Sequence, residues 1–235
     1  MPNHVSSNLT ITGPADDVRR FVTAVDRSAT PNGKAFDFDG VLPMPEELVG
    51  TTSPTSIQTQ TEIDTLWADW NRRKDAGELK DWEIRGGKPW GLGITQAASD
   101  ALIAKYGSNN WYEWAHTNWG TKWGAYDTTE WIVTDSDNGN ATATSDYNTA
   151  WSPATSFFER VSLMYPTLVF DTEYADEGDG FVGATSFENG DINDNDYEWN
   201  SPEGIAVRER VGYAPDEDED GDEDLDESET ATVTA

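Results

Sequence analysis

The strongest constraint on the fold of this chain is its formal net charge of −30 over 235 residues. Residues 214–235 hold eleven acidic residues and no Lys or Arg, so residues 1–213 still carry a net charge of −19. Repulsion of this size opposes a compact state, and salt relieves it because the screening length falls from about 10 Å at 0.1 M to about 3 Å at 1 M. The folded part must therefore bury a large apolar core to offset the repulsion.

The acidic composition leaves two interpretations open. Acidic residues spread along the chain are typical of a protein from a halophilic organism that keeps concentrated salt inside its cells. Acidic residues arrayed on one elongated face would instead imitate the phosphates of DNA, as in an inhibitor of a DNA-binding defence protein. In both cases we expect no direct contact with nucleic acid, since that requires clustered Lys and Arg.

The expected location follows from hydropathy. No stretch approaches the 18 or so apolar residues of a membrane-spanning helix, and the first residues do not have the pattern of a signal peptide. We therefore predict a cytoplasmic protein in a high-salt host, without contact with a membrane.

Signatures of catalysis and metal binding are weak throughout the sequence. There is no cysteine, which excludes disulfides, thiol nucleophiles and cysteine-held metal clusters. Residues 216–227 have the spacing of an EF-hand calcium loop, but a run made almost entirely of Asp and Glu matches that spacing by chance. We expect no metal, no cofactor and no catalytic residue. An enzyme acting on an anionic substrate is the alternative, and it requires His4 or His116 beside a carboxylate in a cleft.

Apolar periodicity predicts an α+β fold in which helices pack on one face of an antiparallel sheet. Alternation over residues 5–11 indicates a half-buried strand, and Asn138-Gly139 between two strand-like runs indicates a hairpin. Residues 79–93 are rich in glycine and proline and predict a loop with Trp82 and Trp90 as buried anchors. The patterns predict helices near 14–27, 60–76 and 95–106 and one carrying Phe157 to Met164, and strands near 36–42, 131–134, 141–151, 167–174 and 180–190.

Tryptophans are unusually dense in one part of the chain. Four of the eleven lie within residues 111–123, close to His116, Asn118 and Lys122. Such a cluster is compatible with an aromatic-lined pocket that binds a ligand. The alternative is a packed corner in which the Lys122 stem lies across an indole ring and its ammonium pairs with an acid.

Five short segments, in this order along the chain, resemble the YubB family of plasmid and phage proteins. They are MPNHV at 1–5, LTITG at 9–13, LPMPEEL at 42–48, NWGTKW at 118–123 and TAWSP at 149–153. The resemblance implies a ferredoxin-like fold for the C-terminal half, and the acidic tail is expected to lie outside it. We accordingly predict an N-terminal α+β region over 1–108, a ferredoxin-like domain over 109–213 packed against it, and a disordered acidic tail over 214–235.

The resemblance also implies a role as an accessory protein of a virus, plasmid or integrated element. We expect such a protein to be non-enzymatic and to bind another protein or a small anionic ligand. If the NWGTKW and TAWSP segments are neighbours in space, their tryptophans and the single lysine line one concavity. The candidate ligand-binding residues are His116, Asn118, Trp119, Lys122, Trp123 and Trp151.

Overall fold

The protein is described by a computed structural model over residues 3–31, 33–176 and 178–213. A six-stranded sheet with the order β2-β3-β1-β4-β5-β6 forms its centre, and every neighbouring pair is antiparallel. The strands are β1 His4–Pro14, β2 Ile132–Asp135, β3 Asn140–Ala150, β4 Val169–Asp176, β5 Phe181–Glu188 and β6 Asp191–Tyr197. The helices are α1 Ala15–Val25, α2 Gln60–Asp75, α3 Asp81–Gly86, α4 Gln96–Tyr106, α5 Trp111–Asn118, α6 Thr155–Met164 and α7 Pro202–Arg210.

Strand β1 lies in the middle of the sheet because it pairs along one edge with β3 and along the other with β4. Its register joins His4 to Ala150 and Leu9 to Ser145 on the β3 side, and Leu9 to Thr172 on the β4 side. Its alternating residues Leu9 and Ile11 are fully buried on one face, as the two-residue period of a strand requires. The predicted strand over 5–11 is confirmed.

The elements β1, α1, β2, β3, α6 and β4 follow each other as βαββαβ, the element order of a ferredoxin-like fold. Residues 26–131, which contain α2 to α5, are inserted between α1 and β2. The predicted α+β class with an antiparallel sheet is confirmed. Both predicted regions, 1–108 and 109–213, contribute strands to this one sheet, and the boundary between them stays a prediction.

The core is a cluster of aromatic rings between the sheet and helices α1 and α6. The ring of Phe36 lies 5.1 Å from Phe38, 5.5 Å from Trp131, 5.2 Å from Tyr147 and 6.0 Å from Phe157, measured between ring centroids. All four contacts are edge-to-face, which is a favoured geometry of aromatic pairs. The cluster supplies the large apolar burial that a strongly acidic chain requires.

Helix α7 contacts the other face of the sheet, where Ala175, Val182 and Val207 form a second, smaller apolar cluster. The guanidinium of Arg210 binds the carboxylate of Glu173 on β4 at 2.6 Å and 2.8 Å. This ion pair, together with a contribution from Asn8, lowers the pKa of Glu173. The pair helps to hold α7 on the sheet.

Two of the local predictions are wrong. The strand predicted over 36–42 is a single turn of 3-10 helix at Phe38–Gly40, because the Asp37 side chain accepts a hydrogen bond from the Asp39 amide and starts the turn. The loop predicted over 79–93 includes helix α3. Its tryptophans are not buried anchors, since Trp82 is 50% and Trp90 82% exposed. The sequence patterns do not predict helices α5 and α7 or strand β6, which the structure contains.

Two other predictions concern the tail and the membrane. The disordered acidic tail predicted over 214–235 and the EF-hand-like spacing within it lie outside the described residues. Within the described ranges, none of the helices combines the length and apolar character that crossing a bilayer requires.

Candidate functional site

The two segments predicted to form a site are neighbours in space. The Ser152 hydroxyl donates a hydrogen bond to the Gly120 carbonyl at 2.6 Å, and the Thr149 hydroxyl donates to the Ser152 carbonyl at 2.8 Å. Gly120 has φ +78° and lies so close to the start of α6 that a β-carbon there would be 3.0 Å from the Ser156 amide nitrogen. Glycine therefore allows the NWGTKW segment to approach the first residues of α6, which follow directly after the TAWSP segment.

A row of aromatic rings extends from Lys122 to the first strand. The Lys122 ammonium lies 5.0 Å from the centre of the Trp123 ring, within the range of a cation–π contact. The Trp123 ring lies 6.4 Å from Tyr126, and the Tyr126 ring lies 5.6 Å from His4. Trp151 is near the same end of the sheet, where its amide donates to the Asn3 carbonyl at 3.1 Å.

We call the residues His4, Lys122, Trp123, Tyr126 and Trp151 the Lys122 cluster. Its ammonium group lies beside the partly exposed Trp123 indole, and Trp151 is 44% exposed. Within the part of the chain that the structure describes, the Lys122 ammonium forms no salt bridge. The cluster can therefore offer an unpaired positive charge next to flat apolar surface.

Tyr126 is the centre of the hydrogen bonds in this cluster. Its hydroxyl donates to the Thr149 carbonyl at 3.1 Å and lies 2.7 Å from Nδ1 of His4. Burial raises the pKa of Tyr126 to about 12, and the negative charge of Asp127 adds to the effect. The phenol is therefore protonated at neutral pH and fixes the orientation of the His4 ring, whose Nδ1–H can donate to the phenol oxygen.

Three of the predicted site residues have other positions. Trp119 is buried, packs against Trp114 and donates its indole N–H to the Leu42 carbonyl at 3.0 Å. Asn118 donates to the Trp114 carbonyl within its own helix at 2.9 Å. His116 is exposed and contacts the ring of Tyr112, one turn earlier on α5. These residues support the segment, whereas Lys122 contacts Trp123 and Trp151 lies at the same end of the sheet.

Sequence reasoning missed His4 and Tyr126 as partners of Lys122. The sequence does offer a reason to select His4, because it lies in the first of the five segments and is the first residue of a strand. Tyr126 follows the NWGTKW segment by three positions, and its backbone pairs with Asn148 of β3. Local periodicity does not predict a backbone pairing between residues that are 22 positions apart.

In residues 3–31, 33–176 and 178–213, no three or more His, Asp or Glu side chains converge in a way that could hold an ion.

Comparison with known proteins gives a family and one solved structure. The family model described as "Ferredoxin-like domain in Api92-like protein" matches residues 114–232. The match includes most of the acidic segment, so the expectation that this segment lies outside the family is wrong. The crystal structure of the protein Api92 from Yersinia pseudotuberculosis is similar with a TM-score of 0.40 and 10% identity, over 86% of this chain and 99% of that one. None of the curated proteins matches the sequence.

Proposed function

This chain belongs to the family of Api92-like proteins with a ferredoxin-like domain, and we propose that it uses this fold as a non-enzymatic protein that binds a small anionic ligand. The ligand site is the Lys122 cluster. The observation that carries the proposal is the hydrogen bond from Ser152 to Gly120, which brings Lys122 and Trp123 beside the end of β3.

The chemistry of the cluster favours an anion that also carries a flat apolar group. The Lys122 ammonium supplies the donors for the negatively charged end of the ligand. The indole of Trp123 supplies a face for a ring, since aromatic side chains favour stacked or edge-on partners. A carboxylate or phosphate without a ring would use only the first of these features and would bind more weakly.

Replacing Lys122 with alanine is expected to weaken binding of adenosine monophosphate or benzoate about tenfold or more, because a hydrogen bond to a charged group contributes about 1.5–3 kcal/mol. Isothermal titration calorimetry measures the dissociation constants. Inorganic phosphate, which has no ring, is expected to bind the parent more weakly than adenosine monophosphate.

Lys74 provides a matched control for this experiment. Its ammonium lies 5.0 Å from the centre of the Trp70 ring, the same distance that separates Lys122 from the Trp123 ring. Both Lys74 and Trp70 are on α2 and do not belong to the Lys122 cluster. Lys74→Ala is expected to bind like the parent. The proposed function is wrong if neither ring-bearing anion binds the parent, or if Lys122→Ala and Lys74→Ala bind equally well.

We further propose that the protein serves a virus, plasmid or integrated element of a halophilic host and works in the host cytoplasm. The five segments that resemble the YubB family support the first part of this proposal. The net charge of −19 on residues 1–213 supports the second, since a charge of that size suits concentrated salt.

The halophilic assignment predicts that salt stabilises the protein. Raising KCl from about 0.1 M to about 3 M is expected to raise the midpoint of thermal unfolding, because shorter screening lengths reduce repulsion among the carboxylates. Circular dichroism measures the midpoint, and sucrose serves as a control that carries no charge. An unchanged or lower midpoint in KCl would count against salt adaptation.

A further inference from the structure

A cleft with a mainly apolar lining lies on the inserted residues, apart from the Lys122 cluster. It has a volume of about 390 Å³ and is lined by Thr52, Trp82, Lys88, Pro89, Trp90 and Leu92, among others. The Trp82 and Trp90 rings are perpendicular, with centroids 5.9 Å apart. Both indoles are at least half exposed, so the chain leaves a large apolar surface open to solvent here.

The charged groups in the cleft wall are already paired within the protein. Glu83 binds Arg73 at 2.8 Å and accepts a hydrogen bond from the Lys80 amide at 2.9 Å. The Lys88 ammonium donates to the Gly50 carbonyl. A group that enters the cleft therefore meets mainly apolar surface, and a single aliphatic or aromatic side chain fits that chemistry better than a charged one.

The sequence around helix α3, which supplies part of the cleft lining, is locally basic. Residues 71–90 contain six of the fifteen Lys and Arg residues and four acidic residues. Their net charge is therefore +2, whereas the net charge of the whole chain is −30. Lys80 and Arg85 are exposed, and neither forms a salt bridge with another residue that the structure describes. A segment that binds here is expected to be acidic and to carry one apolar side chain.

We propose that the acidic segment 214–235 of the same chain docks on this cleft. The segment has eleven carboxylates, and Leu225 stands between Asp224 and Asp226 as the only large apolar residue in the acidic run. In this proposal the Leu225 side chain packs in the cleft against the exposed faces of the Trp82 and Trp90 indoles, and the carboxylates beside it attract Lys80 and Arg85. The opposite charges of the two partners favour this pairing over others in the chain.

The length of the segment sets how far Leu225 can lie from Tyr213. The twelve positions from Tyr213 to Leu225 span at most about 40 Å. A folded unit of this size has a radius of gyration of about 17 Å and is about 44 Å across, so the extended segment is nearly as long as the molecule is wide. Because both partners belong to one chain, the effective concentration is of the order of millimolar and a weak contact is sufficient.

The absence of cysteine from the sequence allows a direct test on the full chain. Ser228→Cys introduces one attachment site for a nitroxide spin label, and the indole N–H signals of Trp82 and Trp90 are observed by NMR with ¹⁵N labelling. We expect both signals to be lost in the oxidised label and restored on its reduction. The Trp131 indole, which donates to the Ala35 carbonyl in the core, is the internal reference and should keep its signal.

Two variants separate docking from chance proximity. Leu225→Ser removes the apolar side chain, and Lys80→Glu combined with Arg85→Glu reverses two positive charges at the start of α3 and within it. Each change is expected to restore the Trp82 and Trp90 signals. The proposal is overturned if the signals are unaffected in the labelled parent, or if neither variant restores them. It is also overturned if only mixtures of spin-labelled and ¹⁵N-labelled chains show the loss, since the occupant would then be a second copy.

Discussion

Replacing Phe36 with alanine is expected to lower the free energy of unfolding by about 3–5 kcal/mol, the range for removing a buried phenylalanine from a packed core. The Phe36 ring is fully buried and touches rings from the inserted region, from β3 and from α6. Its removal leaves a cavity that these rigid neighbours cannot fill. Urea unfolding followed by circular dichroism in concentrated salt measures the change.

Ile132→Ala is the control for this prediction. Ile132 is 68% exposed on β2, at one edge of the sheet, and the substitution is expected to change the free energy of unfolding by only about 0.5 kcal/mol. If Phe36→Ala and Ile132→Ala lower the free energy of unfolding equally, Phe36 does not lie in a packed aromatic core.

Trp119→Ala is also expected to cost about 3–5 kcal/mol and to weaken the ligand site indirectly. The indole packs against Phe38 and Trp114, and its N–H bonds the Leu42 carbonyl. The side chain thereby fixes the residue that precedes Gly120. Denaturant unfolding measures the stability, and hydrogen exchange of the Gly120 and Thr121 amides measures the local loosening.

Trp119→Phe separates the contribution of ring packing to stability from that of the indole hydrogen bond. Phenylalanine keeps most of the ring packing but leaves the Leu42 carbonyl without its donor, which is expected to cost about 1–3 kcal/mol. Trp90→Ala, which changes an indole that is 82% exposed, is expected to alter stability by only about 0.5 kcal/mol. If Trp119→Ala unfolds no more readily than Trp90→Ala, the assignment of Trp119 to the core is wrong.

Elements with a strong local pattern could be predicted from the sequence. The β2-β3 hairpin turns at Asn138-Gly139, where Gly139 has φ +84°, a conformation that glycine adopts without strain. Helix α2 begins at the capping box formed by Thr59 and Glu62. In both cases a few adjacent residues determine the backbone.

Strand β6 shows why other elements could not be predicted. Its sequence, DINDNDY, is rich in Asp and Asn, which are uncommon in strands. It is held by pairing with β5 and by hydrogen bonds such as that from the Thr185 hydroxyl to the Asp194 carboxylate at 2.5 Å. Such an edge strand depends on its partner and leaves no periodic signal.

The candidate site was predictable only in part, for the same reason. Lys122, Trp123 and Trp151 could be selected because tryptophans and the only lysine among them stand out in an acidic chain. Their partners His4 and Tyr126 come together through sheet pairing across more than a hundred positions. The sequence does not predict that Trp82 and Trp90 are exposed, because tryptophan is usually buried. The cleft that they line is evident only in the three-dimensional structure.

The position of β1 decides which pieces of this protein can fold alone. Strand β1 precedes both of its hydrogen-bonding neighbours by more than 120 residues, so the nascent strand has no partner in the sheet until β3 and β4 have been made. Pairing at such separations slows folding. A recombinant fragment limited to residues 114–232, the part that matches the family model, lacks this strand and exposes the inner edges of β3 and β4 to self-association.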